Sequence, residues 1–367
     1  MARLSRKEMV SETEVGVYHC MQRAVRRAFL CGEDAATGKN FDHRKEWIRA
    51  RLEYLAGQFG VEVLSFAVMS NHLHVILRNR PDVVQGWSDI EVARRWWYLF
   101  PQRKDADGEA ADPTDADLQM LVSDAEALAE RRARLSSLSW FMRCLAEPIA
   151  RRANREDQCT GRFWEGRFKC QRLLDETAIL ACSVYVDLNP IRAAVADTPE
   201  SSEYTAVHER IHDGEPRTPP PEPDGCDGGR RTKRTKPKQK RRLKPLRVRD
   251  DWLSPVELSE RAERRTAKPV RRASNRGFLP INLQQYLQLL DWTGRQLRRG
   301  KRGSIPADLA PILDRLQVSG ETWVDLIENF GRWFRRAAGR AESLAQEAVR
   351  RGQAWMHGTS HSRALSA

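Results

Sequence analysis

Residues 61–78 constrain the fold more than any other stretch. VEVLSFAVM (61–69) and HLHVILR (72–78) are two apolar runs separated only by Ser70 and Asn71. Runs this rich in Val, Ile, Leu and Phe, joined this tightly, predict a β-hairpin whose faces must be covered by other elements. The hairpin is expected at the centre of a sheet. Around it the chain reads as helical. Trp47, Ile48, Leu52, Leu55 and Phe59 recur at spacings of three and four, which predicts a helix over 42–59 with one buried face.

Upstream, VYHCMQRAVRRAFL (17–30) suits a strand followed by an irregular turn. Downstream, a helix carrying Trp96, Trp97 and Tyr98 is expected over 88–100, then an Asp/Ala-rich loop or insertion over 104–117. Residues 118–154 read as helix, with Pro148 as a candidate break. A further helix is expected over 175–195, which Pro190 either kinks or ends in its first part. Beyond 251 the clearest helical segments are 281–299, 306–316 and 321–356, where Trp292, Trp323 and Trp333 fall at core-compatible spacings. The organisation expected is a domain over 1–212 with a helical insertion over 104–135, a disordered basic linker over 213–250, and a helical accessory region over 251–367.

Charge narrows the partners. The formal net charge is +13, yet residues 230–249 hold twelve Lys or Arg and no acid, so 13 − 12 leaves only +1 for the rest. The basic signal therefore belongs to one segment, which is either a solvated linker or a salt-sensitive contact to nucleic acid. Seven widely spaced cysteines without a CxxC pair suggest reduced thiols and a cytoplasmic protein. The charged first residues lack a signal peptide's apolar stretch, and no apolar run of membrane-spanning length occurs. No membrane partner is expected.

The chemistry sits on the hairpin and on one helix. Side chains at i and i+2 of a strand share a face, so His72 and His74 present two imidazoles together while Leu73 points into the core. Such a pair either grips one divalent cation or is simply half-buried structure; with 8 His in 367 residues, chance alone gives about 0.17 such pairs. In ACSVYVDLNPIRAAV (181–195), Tyr185 and Asn189 stand four residues apart on one helical face, so a phenol and an amide can approach the same site. Two imidazoles, an amide oxygen and open positions suit Mg2+ or Mn2+. A tyrosine hydroxyl beside such a cation becomes a plausible nucleophile. Asp187, two positions from Tyr185, faces away and is read as a surface or structural residue. In GRFWEGRFK (161–169), Arg162, Arg167 and Lys169 alternate with Phe163, Trp164 and Phe168. Either the cations meet phosphates and Trp164 stacks on bases, or the aromatics are core and the charges solvated.

NHLHVIL (71–77), GRFWEGRFK (161–169) and YVDLNPIRA (185–193), in this order, resemble the HUH-type single-tyrosine transposases, and within them the REP-associated tyrosine transposase branch. The resemblance spans residues 15–200, roughly the first half of the chain. It implies an α+β, ferredoxin-like antiparallel sheet with packed helices. It implies metal binding by His72, His74 and Asn189, and nucleophilic attack by Tyr185 on single-stranded or hairpin DNA through a 5′-phosphotyrosine. It is silent on the C-terminal third. Monomer and homodimer are both open, and nucleoid association is expected. Two other functions compete: a non-catalytic DNA-binding regulator that retains the fold, and a phosphodiesterase that uses water while Tyr185 is structural.

Overall fold

The computed structural model describes residues 10–25, 30–33, 38–105, 110–213, 215, 251–258, 272–297 and 309–365. The basic segment 230–249, and all but two residues of the stretch read as a linker, lie outside the described residues. The fold is a mixed α+β one, built on a five-stranded, mostly antiparallel sheet with helices on both faces.

The sheet order is β2-β3-β1-β4-β5, with β1 at Gly16–Arg23, β2 at Val61–Val68, β3 at His72–Asn79, β4 at Lys169–Leu173 and β5 at Ala337–Ala338. The β2/β3 hairpin forms as its composition dictates, but not at the centre of the sheet. β3 is interior, whereas β2 is the last strand of that order. Its outer edge is covered: Ser254 N donates to Val63 O (2.9 Å) and Val68 N donates to Tyr204 O (3.1 Å), so backbone groups that would template aggregation are paired. A register shift between Val63 and Ser65 marks a bulge in β2.

Alternation along β3 divides two cores. Leu73, Val75 and Leu77 face one cluster with Phe59, Phe66 and Phe141, under α1 (His43–Gln58), α3 (Asp89–Leu99) and α6 (Leu138–Glu156). Ile76 faces the other, with Val184, Leu188, Trp323 and Phe330. Pro148 is an exposed residue inside α6 and does not break it. Proline has no N–H for the carbonyl four residues earlier, and Arg51 Nε donates to that carbonyl, Cys144 O, at 3.0 Å.

Two helices lie beside α3, α4 (Asp115–Val122) and α5 (Ala125–Leu135), and α2 (Pro81–Gln85) packs against α5. Thr114 and Asp117 form a capping box that starts α4. After β4 come α7 (Glu176–Asp187), α8 (Asn189–Arg192) and α9 (Ala206–Ile211). The expected helix over 175–195 thus divides at Leu188, and Pro190 stands in the first turn of α8, where its missing N–H costs nothing.

The C-terminal residues share the second core. They form α10 (Leu283–Leu297), α11 (Ala310–Arg315), α12 (Gly320–Trp333), α13 (Ala341–Arg350) and α14 (Thr359–Leu365). Trp292 and Trp323 are buried there. The stretch 321–356 is not one helix. Phe334 is extended and buried, Ala337 and Ala338 pair in parallel with β4, and a Cβ on Gly339 would lie 2.7 Å from Asp175 Oδ2. The same carboxylate caps α7 at Ala178 N and receives Arg340 N. Burial of Phe334 and the ladder to β4 outweigh helical periodicity here.

Candidate functional site

β3 brings His72 and His74 to one face, with ring centroids 4.7 Å apart, and α7 lays Tyr185 over that face, 5.9 Å from the His74 centroid. Helix α7 is held by Asp187, which is fully buried rather than at the surface. Ser65 Oγ donates to its carboxylate at 2.9 Å and Tyr286 Oη at 2.5 Å, fastening α7 to β2 on one side and α10 on the other. Burial raises the Asp187 carboxyl above the usual carboxylate range. Although α7 ends before Asn189, Leu188 keeps αR geometry, so the four-residue spacing survives and the Asn189 amide acts on the Tyr185 hydroxyl, favouring its ionised form.

The sequence reading missed His19. It lies on β1, where Met21 pairs with His74, and its Nε2 is 2.8 Å from His74 Nδ1. Gln171 stands opposite His19 across the β1/β4 ladder and opposes the fall of the His19 pKa. With the proton on His74 Nδ1, that atom donates to His19 Nε2 and His74 Nε2 keeps its lone pair for a cation. His72 Nδ1 is 2.5 Å from Asn71 Oδ1, an acceptor that fixes the proton on Nδ1 and likewise frees Nε2.

Burial makes these histidines neutral at pH 7. Desolvation lowers His19 and His72 each to about 4, aided by His72 and Arg23 respectively, and pushes His74 well below 6.5, aided by His19, His72 and Arg192. Burial raises Tyr185 above its ordinary value, while Arg192 and the Asn189 amide oppose that rise. The resting phenol is protonated. Two neutral imidazoles with free Nε2 atoms and a nearby amide are donors that suit a divalent cation; among the described residues, no three His, Cys, Asp or Glu side chains are grouped to hold one.

His19 gives the metal-free protein a pH signature. Its folded pKa of about 4 lies below the ordinary 6.5, so the unfolded chain binds the proton more tightly. Stability is full above about 6.5 and falls as pH drops toward 4, by on the order of 3 kcal/mol for this residue. Urea unfolding between these pH values should show the fall, and His19→Gln should make it shallower; an identical slope in both proteins would contradict it.

Tyr185, His74 and His19 open on a cleft of about 730 Å³. Lys169 lines it, as do Arg192 of α8, Arg332 at the end of α12 and Arg335 just beyond it. Neither Arg192 nor the C-terminal arginines were singled out from sequence; Arg192 stood within the quoted YVDLNPIRA, and its guanidinium lies 5.1 Å from the Tyr185 ring centroid. Arg162, Trp164 and Arg167 are not in this cleft. They line a second groove of about 690 Å³ with Arg143 and Gln22. Phe163 and Phe168 are buried. Trp164 is half-buried, and its Nε1–H donates to Ala146 O at 2.8 Å.

No helix among the described residues is long and apolar enough to cross a membrane. The six described cysteines are free thiols, and Cys170 and Cys182 are buried. No family model and no curated protein matches the chain. Among solved structures it is similar to the REP-associated tyrosine transposase bound to a REP hairpin, at 11% identity and a TM-score of 0.32, over 53% of this chain and 79% of that one.

Proposed function

We propose that this protein is a metal-dependent transposase or endonuclease that cleaves and rejoins single-stranded DNA at hairpin elements through a 5′-phosphotyrosine. The observation that carries the reading is that a helix pair more than a hundred residues away lays Tyr185, with Asn189 four positions on, over the strand face that carries His72 and His74, with His74 and Tyr185 on one open cleft. The strand order β2-β3-β1-β4 supports the ferredoxin-like reading of the sheet.

Tyr185 Oη attacks the scissile phosphorus and forms the P–O bond as the phosphorus–O3′ bond breaks. The leaving 3′ oxygen becomes a 3′-OH, and the phenol proton is lost to solvent in the cleft. Rejoining is the reverse attack by a 3′-OH, which conserves the phosphodiester bond and needs no energy source. A divalent cation, Mg2+ or Mn2+, held by His72, His74 and Asn189 would neutralise charge on the phosphate and favour the ionised phenol. Arg192 holds positive charge over the ring, and the Asn189 amide favours the phenolate. Lys169 in the cleft, and Arg162 and Arg167 in the second groove, meet DNA phosphates, with Trp164 beside the latter two.

His19 is a positioning residue in this scheme, since a ligating imidazole is oriented by the partner of its other nitrogen. His19→Ala should lower Mn2+ affinity roughly tenfold by calorimetry, and His19→Gln should restore part of it. Equal affinity in wild type and His19→Ala would remove that role.

Incubating the protein with 3′-labelled hairpin DNA carrying a single-stranded extension and Mn2+, then running a denaturing gel, tests the reaction. A labelled protein band that disappears with EDTA is expected. Binding without cleavage would instead fit a regulator, and cleavage without a protein band would fit hydrolysis by water.

A further inference from the structure

We infer that Arg332 and Arg335 bind phosphates of the single strand next to the scissile bond, so that the C-terminal third completes the DNA site. The inference rests on the function proposed above. One wall of the Tyr185 cleft is the end of α12 and the turn after it. That wall is fixed in place from the catalytic side. Arg192 Nη2 donates to Glu328 O at 2.8 Å and Nη1 to Ile327 O at 3.3 Å. The Phe330 ring centroid lies 5.6 Å from that of Tyr185, and both Phe330 and Phe334 are buried. A Cβ on Gly331 would stand 3.0 Å from the Tyr185 hydroxyl, so the wall packs closely on the phenol and a larger residue would push one or the other by a few tenths of an ångström.

The charge on this wall has no internal use. Arg332, Arg335 and Lys169 are exposed and have no ion-pair partner among the described residues. Other exposed arginines are neutralised at short range, as Arg295 is by Asp291 and Arg315 by Glu176; Arg162 and Arg167 of the second groove, like the arginines here, have no ion-pair partner among the described residues. Together with Arg192, which donates only to carbonyls, Arg332, Arg335 and Lys169 place four cations around one cleft against a single lining carboxylate, Glu328. Like charges gathered without counter-charge cost stability and favour a polyanion. The cleft leads to Tyr185, where the scissile phosphate must lie, so the anion it fits is the backbone on either side of that phosphate. Contacts of this kind fix register and carry no base information.

The test uses the full chain in a Tyr185→Phe background, which reads binding without any cleavage. Affinity is measured by fluorescence anisotropy over a range of salt for a hairpin with a single-stranded extension and for the same hairpin without it. Arg332→Gln/Arg335→Gln should weaken binding of the extended hairpin about tenfold and flatten its salt slope by about 1.4, as expected for two lost single-strand phosphate contacts. The bare hairpin should bind the variant as it binds the parent, and both proteins should melt at the same temperature. Equal losses on both DNAs would assign the arginines to the duplex and overturn the inference, as would no loss on either. If wild type forms no tyrosine adduct yet the variant loses extension-dependent binding, the catalytic reading fails and the single-strand contact stands.

Discussion

Glu62→Ala is expected to lower the stability of the fold by about 3–5 kcal/mol, because it strands the buried Arg78 guanidinium and takes one of two carboxylates from the buried Arg80. Glu62 is fully buried on β2. Arg78 Nε donates to one carboxylate oxygen at 2.5 Å and Arg80 Nη1 to the other at 3.1 Å, which also receives Ser274 Oγ. Arg78 continues outward to Gly277 O at 2.8 Å, so one carboxylate ties the hairpin to the C-terminal residues. Burial lowers the Arg78 pKa below its ordinary value, and Glu62 is the charge that opposes this. Arg80 retains Asp82 after the substitution, whereas Arg78 retains only carbonyls. Urea unfolding measures the effect as a lower midpoint at unchanged slope. A loss under about 1 kcal/mol would mean that water reaches Arg78 and that the network contributes little.

Tyr185→Phe is expected to remove DNA cleavage, by roughly three orders of magnitude or more, while leaving the fold and DNA binding intact. The substitution deletes one oxygen. The Asn189 amide near it sits on a half-exposed residue and can turn to water. The ring contacts to Phe330, His74 and His19 are kept by phenylalanine. Stability should therefore change little, and a drop in activity cannot be assigned to unfolding. Timed cleavage of labelled hairpin DNA with Mn2+ reads the rate. Retention of more than about a tenth of the wild-type rate would make Tyr185 a structural residue and point to water as the nucleophile.

The hairpin was legible because two Val-, Ile- and Leu-rich runs around Ser70 and Asn71 leave few other choices. The shared face of His72 and His74 follows from the strand period alone. Tyr185 and Asn189 came together for a reason the spacing only half captured: the helix stops between them, but Leu188 keeps the turn. His19 was not legible, since only the antiparallel register of β1 against β3 sets it diagonally across from His74, and register is a tertiary property. The same holds for Arg332 and Arg335, whose place beside Tyr185 depends on β5 pairing with β4 and on α12 packing against α7. Pro148 misled because the sequence shows its missing N–H but not Arg51, which supplies the donor. Asp187 was correctly turned away from Tyr185, yet its burial depends on Tyr286, a hundred residues distant.

Mass spectrometry of the protein after reaction with hairpin DNA and Mn2+ reads the covalent bond itself. Once the DNA is trimmed by nuclease and the chain is digested, the expected product is the Tyr185-containing peptide carrying a nucleotide 5′-phosphate. Cleaved DNA bearing a free 5′-phosphate, beside an unmodified Tyr185 peptide, would contradict the tyrosine mechanism.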